Sequence, residues 1–364
     1  MFVRQVNYQN FRNFQNLDLM LDQGFVVLFG PNGAGKTNFL EGIYFGLTLS
    51  RFPTSHLSQL MLEREQFFRV AIELRNADDE RFEVFGTRED ERTALKFRIN
   101  NQTMNRASYA GRAAAVSFIP EDLNLLTHSP AGRRRFLDEV LGSAGAQIKH
   151  AIMRYDRALR QRNQALQSIA QSGVNDSHLE VWDEQLADYG SQITRARADF
   201  IEAVNTSVGQ VLKTFSPDIE SIKFEYRFSG APIKEDFLRK LRESKARERE
   251  TLTTAVGPHR DDFLTIGGSG NAVGYLSRGQ LRSVTLALKI MEKNYMEKFG
   301  RHPIMLLDDV FSEFDGVHQR QLAEFLRGFE QVFLTTAQPS DIKDHLPSSA
   351  QLYNVKAGVI AKPQ

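Results

Sequence analysis

Cysteine is absent from the 364 residues of this chain. That excludes a disulfide scaffold, a thiolate zinc site and a cysteine nucleophile. No apolar run approaches the roughly 18 residues of a membrane span. The opening, Met1-Phe2-Val3-Arg4-Gln5, has no long apolar stretch and does not read as a signal peptide. A cytoplasmic protein is expected. Net charge is nearly absent as well: 46 basic side chains face 45 acidic ones, leaving +1. Near-neutrality argues against a nucleic-acid partner only where charge is evenly spread. Here it is not. Residues 131–170 hold eight Lys/Arg against three Asp/Glu, residues 231–260 eight against five, and residues 301–350 four against eight. Basic stretches in the middle and an acidic one near the end point to an anion-binding face. With 41% hydrophobic and 25% charged residues, the composition is that of a soluble globular protein, and apolar residues recur throughout, which excludes intrinsic disorder. The length suggests about two domains.

The first third reads as strands and turns. Phe2 to Asn7 and Leu17 to Leu21 are short β-like runs, and Phe25 to Phe29 is a continuous apolar run fitting a strand buried on both faces. Phe67 to Leu74, Arg81 to Phe85, Leu95 to Ile99 and Val116 to Ile119 follow. The middle is helical. From Gln147 to Gln171 apolar residues fall at heptad spacing, with Arg162 interrupting the seam. Ser172 to Ser177 breaks the pattern, and a second seam runs from Trp182 to Phe200. An antiparallel helical hairpin is predicted over about 147–215. Strands return near Ile219 to Phe228, and a charged helix is expected from Glu235 to Glu250. The last third alternates helix and strand: a helix from about Arg278, strand Ile304 to Leu307, helix Gly316 to Leu326, strand Gln331 to Leu334. That rhythm predicts a parallel α/β layer.

Gly30-Pro31-Asn32-Gly33-Ala34-Gly35-Lys36-Thr37 fits the phosphate-binding pattern G-x-x-x-x-G-K-[ST]. An apolar strand precedes it, and a helix is expected from Asn38. Glycines let consecutive N–H groups point at phosphates, and the helix start adds partial positive charge. Lys36 can reach the β- and γ-phosphates of a nucleotide, and the Thr37 hydroxyl can ligate Mg²⁺. A second acidic element is required, and Ile304-Met305-Leu306-Leu307-Asp308-Asp309 supplies it. Asp308 is placed to hold the magnesium, Asp309 to orient or deprotonate a water. Asp309 is one methylene shorter than a glutamate, which predicts slow ATP turnover.

Tyr275-Leu276-Ser277-Arg278-Gly279-Gln280, ahead of a helix, resembles the signature loop of the ATP-binding-cassette (ABC) superfamily. Arg278 replaces the first glycine of the usual pair. The resemblance implies that Ser277, Arg278, Gly279 and Gln280 face ATP held by another subunit. Ser312-Glu313-Phe314-Asp315 resembles the D-loop, implying interface roles for Ser312 and Asp315. Asn10-Phe11-Arg12-Asn13-Phe14 resembles a motif of the SMC/Rad50-like branch, where the arginine approaches nucleotide. Within that branch the chain resembles the RecF family over essentially its whole length. Further matches are Phe118 to Asp122, Arg133 to Asp138 and Gly257-Pro258-His259-Arg260-Asp261-Asp262.

The fold this implies is α/β: an ABC-type P-loop ATPase head with mixed sheets, plus a mainly helical second lobe carrying the hairpin. The head is expected over 1–115 and 255–364, the helical lobe over 116–254, with the signature loop 275–280 at their junction. The resemblance also implies an ATP- and Mg²⁺-dependent homodimer that binds DNA at gaps and single-strand/double-strand junctions. RecR, RecO and RecA are the implied partners, RecA loading the implied task, and replication restart and SOS induction the implied contexts. DNA-stimulated ATP hydrolysis would act as the switch. Arg133, Arg134, Arg135, Arg154 and Arg157 are candidate DNA contacts, from the local charge. No glutamine stands in the Q-loop neighbourhood of Ile119 to Asp122, and Thr335-Thr336-Ala337-Gln338 carries no switch histidine. Alternatives at this stage are an assembly module with incidental hydrolysis, a P-loop kinase and a transporter ATPase subunit.

Overall fold

Strand-forming alternation at the start of the chain gives way to helix-forming periodicity and then to alternating elements, and the computed structural model follows that order. It describes all residues except 53, 54, 76–78, 91, 128, 173–176, 220, 269 and 364. The expected break at Ser172 to Ser177 therefore lies largely outside the described residues. The first segment gives β1 (Phe2–Phe11), β2 (Phe14–Met20), β3 (Gly24–Phe29), α1 (Lys36–Thr48), β4 (Phe67–Arg75), β5 (Glu80–Glu89), β6 (Arg92–Ile99), β7 (Gln102–Met104), the single turn α2 (Arg106–Tyr109) and β8 (Ala115–Phe118). Then come α3 (Pro130–Ala144), α4 (Ala146–Ser172), α5 (Ser177–Phe215), β9 (Lys223–Arg227), α6 (Lys234–Thr251), β10 (Asp262–Gly267) and β11 (Gly270–Asn271). The chain closes with α7 (Arg278–Lys298), β12 (Ile304–Asp308), α8 (Gly316–Leu326), β13 (Gln331–Thr336), β14 (Gln351–Lys356) and β15 (Val359–Ala361).

Two units result: Met1–Asn124 with Arg282–Gln364, and Leu125–Leu281. The first holds two six-stranded sheets. One is antiparallel, in the order β2-β1-β4-β5-β6-β7; the other runs β15-β14-β3-β13-β12-β8 and is parallel except for β15. β3 has parallel neighbours on both sides and four buried residues, which is why it reads as an unbroken apolar run. Helix α1 packs against strands of both sheets and buries eleven of its thirteen residues. Phe39, Ile43, Phe45 and Leu47 join the main core, so a helix apolar nearly all round is what this place requires. Its first turn thereby becomes a fixed point in the unit.

The second unit is mainly helical, with one small sheet, β11-β10-β9. α4 and α5 run antiparallel, as the heptad seams predict, with Arg162 opposite Asp183 and Tyr155 against Gly190. Residues 255–281, expected with the head, group here instead. The reason is that β10 pairs along its length with β9, from Asp262↔Arg227 to Ile266↔Lys223. Arg162 is no mere interruption. It is fully buried and donates to Asp183 (2.6 Å), Glu248 (2.7 Å) and the Thr254 hydroxyl (3.0 Å), tying α4 to α5 and α6. Burial opposes its charge, but the hydrogen bonds and ion pairs with Glu248 and Asp183 hold its proton more firmly than usual.

The segment Gly257 to Asp262 is a second knot in this unit. The Pro258 carbonyl accepts from Arg197 at 2.8 Å. His259 donates from Nε2 to the Thr254 carbonyl (2.9 Å), so its Nδ1 accepts the Tyr155 hydroxyl (2.8 Å). Burial drops the His259 pKa to about 4, so the ring is neutral at pH 7. Asp261, fully buried, accepts from the Tyr226 hydroxyl and, at 2.7 Å, from Ser229 N–H. Replacing Arg162 with alanine strands two buried carboxylates. The expected loss is about 3–5 kcal/mol of stability, read from urea unfolding. Converting Arg162, Asp183 and Glu248 together to Met, Leu and Leu should restore most of it. An Arg162→Ala protein within about 1 kcal/mol of wild type would contradict this reading.

Candidate nucleotide site

The loop Gly30–Thr37 emerges from the central strand β3 and ends in the buried helix α1. Gly30 sits at φ +150° with the Val355 carbonyl 2.2 Å from where a Cβ would stand, so no side chain fits. Gly35 caps α1 at φ +114°, a conformation that favours glycine. The loop is braced from outside by two bonds onto the Ala34 carbonyl, from Asn13 Nδ2 and from Gly358 N–H, each 3.0 Å. Asn38 donates to Asn13 Oδ1 at 2.8 Å and closes that brace. Asn13 belongs to the motif noted near the N-terminus, but its loop-fixing role escaped the sequence reading.

Lys36 is 8% exposed, and its ammonium donates to the carbonyls of Gly30 (2.7 Å) and Pro31 (3.1 Å). Among the described residues no carboxylate pairs with it. A buried cation without a counter-charge is costly unless an anion arrives. Next to it, the Thr37 hydroxyl donates to Asp308 Oδ2 at 2.7 Å. The other oxygen, Oδ1, accepts from Thr335 Oγ1 at 2.7 Å. That same hydroxyl accepts the Asp309 N–H at 2.9 Å. Thr335 thus orders both acids at once. It stands on β13, the strand between β3 and β12 in the sheet. The signal was present in the Thr335-Thr336 pair closing an apolar strand. Asp309 takes φ +50°, a backbone that aspartate tolerates better than most residues.

A hydroxyl and one carboxylate oxygen side by side are the protein share of a magnesium site. Mg²⁺ takes oxygen ligands and keeps several waters and substrate phosphates. Among the described residues no cluster of three or more His, Asp or Glu could hold a metal by itself. Thr37 and Asp308 therefore fit a magnesium shared with a nucleotide and do not fit a stand-alone metal centre. Lys36 and the loop N–H groups fit the polyphosphate.

Other expected site residues divide. The Arg12 guanidinium lies on Glu41, at 2.6 Å, and also meets the Ser55 hydroxyl. Its charge is committed to a 2%-exposed carboxylate one turn into α1. Ser277 and Gln280 form a reciprocal capping box at the start of α7: Ser277 N–H donates to Gln280 Oε1 (2.9 Å), and Gln280 N–H to Ser277 Oγ (3.2 Å). Ser277, Arg278 and Gly279 are exposed at this helix start, a place suited to an anion. Asp315 caps α8, accepting from Val317 and His318 N–H groups and from His318 Nδ1 (2.9 Å), which hold its carboxyl below the usual range. Ser312 donates to the Asp309 carbonyl at 2.7 Å, joining the D-loop to the acidic pair.

The five candidate DNA contacts differ in how far their charge is already engaged. Arg133 makes a bidentate pair with Asp262 (2.7 and 2.8 Å), binding α3 to β10, so its charge is spent inside the unit. Arg134 donates to the Asp261 carbonyl at 2.9 Å, and Arg135 pairs with Glu139 at 2.8 Å. Only Arg154 and Arg157 of the five are exposed. A run of three arginines on a helix signals charge, but the acid that cancels Arg133 and the carbonyl that engages Arg134 both lie over 100 residues away.

An α/β head with this loop, this acidic strand end and a capped signature helix defines an ABC-type ATPase. A family model, the RecF/RecN/SMC N-terminal domain, matches residues 2–360, and the chain belongs to that family. Relatives within it include RecF proteins. The chain is 34% identical to the "DNA replication and repair protein RecF" of Lactococcus lactis subsp. cremoris, covering 100% of this chain and 99% of that one. It is 32% identical to the RecF of Listeria welshimeri, covering all of both. A solved structure of the recombination mediator protein RecF with ATPrS superposes with a TM-score of 0.89 at 28% identity, covering 100% and 98%. An Smc head from Pyrococcus furiosus, at 14% identity and a TM-score of 0.53, shares the fold.

Replacing Thr335 with valine removes one hydroxyl that serves both acids. Calorimetric titration should show ATP binding in Mg²⁺ weakened by about tenfold, the worth of one hydrogen bond to a charged group. Binding in EDTA should change far less. Equal loss with and without magnesium would contradict the assignment of Thr335 to Asp308.

Proposed function

We propose that this chain is an ATP-dependent DNA-binding protein of recombinational repair. ATP brings two copies together, the pair binds DNA at gaps and single-strand/double-strand junctions, and hydrolysis releases it. The carrying observation is the Thr37–Asp308 pair, 2.7 Å apart, beside a buried lysine that has no carboxylate partner among the described residues. That arrangement favours a magnesium-bound polyphosphate over any other ligand. Full-length identity to RecF proteins supports the repair context and, with it, RecR, RecO and RecA as partners in RecA loading, replication restart and SOS induction.

In this reading Lys36 and the loop N–H groups bind the polyphosphate, and Thr37 and Asp308 hold Mg²⁺. A magnesium held by Thr37 and Asp308 would neutralise phosphate charge and make the γ-phosphorus easier to attack. Asp309 orients the water, on a backbone fixed by Thr335. Ser277 at the α7 start of one copy faces the γ-phosphate of the other, with its capping hydroxyl and helix dipole toward the anion. ATP bound in both copies stabilises the pair by linkage. The short Asp309 side chain predicts slow turnover, stimulated by DNA. The absence of a Q-loop glutamine near Ile119 to Asp122 and of a switch histidine after β13 disfavours a transporter ATPase subunit; no helix among the described residues is long and apolar enough to cross a membrane. The cytoplasm is the compartment where such DNA work occurs.

Light scattering with and without ATP tests the reading. Wild type should double its mass with ATP, and Lys36→Met should stay monomeric. Asp309→Asn should dimerise with ATP and persist at least tenfold longer, because release needs hydrolysis. A mass indifferent to ATP would refute the proposal, and equal lifetimes would leave assembly without a hydrolytic switch.

A further inference from the structure

The motif Gly257 to Asp262 is committed internally except at one residue. Pro258, His259, Asp261 and Asp262 each accept or exchange bonds inside the unit, as described above. Arg260 is exposed, and among the described residues its guanidinium makes only a 3.3 Å contact, to the Thr254 carbonyl. It opens onto a cavity of about 260 Å³ that Arg247, Thr251, Thr253 and Ala255 also line. At ~30 Å³ each, that is room for roughly eight waters. Among the described residues no carboxylate lines it. Arg247 is exposed as well, with no ion-pair partner among the described residues. Two guanidinium groups and two threonine hydroxyls thus surround one small polar space.

Three features make this a site and not a chance surface. The first is charge. Helix α6 ends at Thr251, and a helix C-terminus carries only about half a negative charge, against two full positive ones. The second is rigidity. Glu248, beside Arg247, is fully buried, accepting from Arg162 and, at 2.8 Å, from Ala255 N–H. Thr254, between Thr253 and Ala255, is held by Arg162, Asn163 and His259. The lining is therefore anchored at both ends to the buried Arg162 cluster. The third is contrast. A larger cavity of about 390 Å³ on the same unit is also rich in cations, but Asp138, Glu139 and Asp156 share its wall. Of these two, only the smaller has no carboxylate among its described lining residues.

We propose that this cavity seats a phosphate of a nucleic-acid backbone, gripped by Arg247 and Arg260. Guanidinium groups suit phosphate because their planar donors meet its oxygens in pairs. Nothing in the cavity reads a base, so the grip gives affinity without sequence preference. The inference rests on the reading of the chain as a DNA-binding protein and names one place where the DNA is held.

The test is fluorescence-anisotropy titration of the full-length protein, with ATP, against a gapped duplex at several salt concentrations. The variants are Arg247→Ala with Arg260→Ala, and Arg247→Lys with Arg260→Lys. The alanine pair should lower affinity about tenfold and reduce the salt slope by about one to two, since each duplex phosphate no longer neutralised removes about 0.9. The lysine pair should keep most of the slope. ATP-dependent dimerisation and the thermal midpoint should be unchanged in both. An alanine pair with wild-type affinity and slope would overturn the site while leaving the functional reading intact. A wild type that does not bind DNA would overturn both. A midpoint raised by inorganic phosphate in wild type alone, with an unchanged DNA slope, would overturn DNA as the phosphate source.

Discussion

Everything at the nucleotide site depends on how Asp308 is held. Its two oxygens accept from Thr37 at the start of α1 and from Thr335 at the end of β13, each at 2.7 Å. These residues come from three places in the chain: Thr37 and Asp308 lie 271 residues apart, and Thr335 follows Asp308 by 27. The parallel sheet brings them to one edge, because β13 lies between β3 and β12. Both oxygens of a carboxylate are thereby aimed before any ligand arrives. A site pre-ordered in this way costs little reorganisation when charge develops in it.

The same economy explains why α1 is so thoroughly buried. A phosphate loop must keep its backbone N–H groups pointing at empty space, which glycine permits but does not enforce. Enforcement comes from the packing of Phe39, Ile43 and Phe45, and from the Asn13 and Gly358 bonds to Ala34. In the second unit the fixing element is charged. Arg162 holds α4, α5 and α6 by buried ion pairs, and the same cluster sets the loop that leads to Arg260. Buried ion pairs add little net stability over apolar replacements, but they accept only one arrangement.

Local patterns carried much of this into view. The strand Gly24–Phe29, the loop Gly30–Thr37 and the acidic strand end at Asp308 are each contiguous and have a distinctive period or composition. The hairpin was legible from its heptads. What the chain concealed was pairing across distance. The Thr335-Thr336 pair marks a polar strand end, but its hold on Asp308 shows only when β13 is placed beside β12. Arg133 looks like a surface charge until Asp262, 129 residues away, is found against it. Arg162 looks like a fault in a seam until Glu248 closes on it. The extent of the second unit was hidden for the same reason, because the β9–β10 pairing that claims residues 255–281 is non-local.

The central claim is that each ATP is completed by a second copy of the chain, through Ser277. Mixing two defective proteins tests this most directly. Lys36→Met cannot hold ATP but offers an intact Ser277, and Ser277→Arg holds ATP but blocks the partner's site. Each alone should remain monomeric with ATP. Mixed, they form one complete composite site, so energy transfer between differently labelled variants should appear on adding ATP and vanish in EDTA. No association in the mixture, or ATP-dependent dimers of Ser277→Arg alone, would contradict the account.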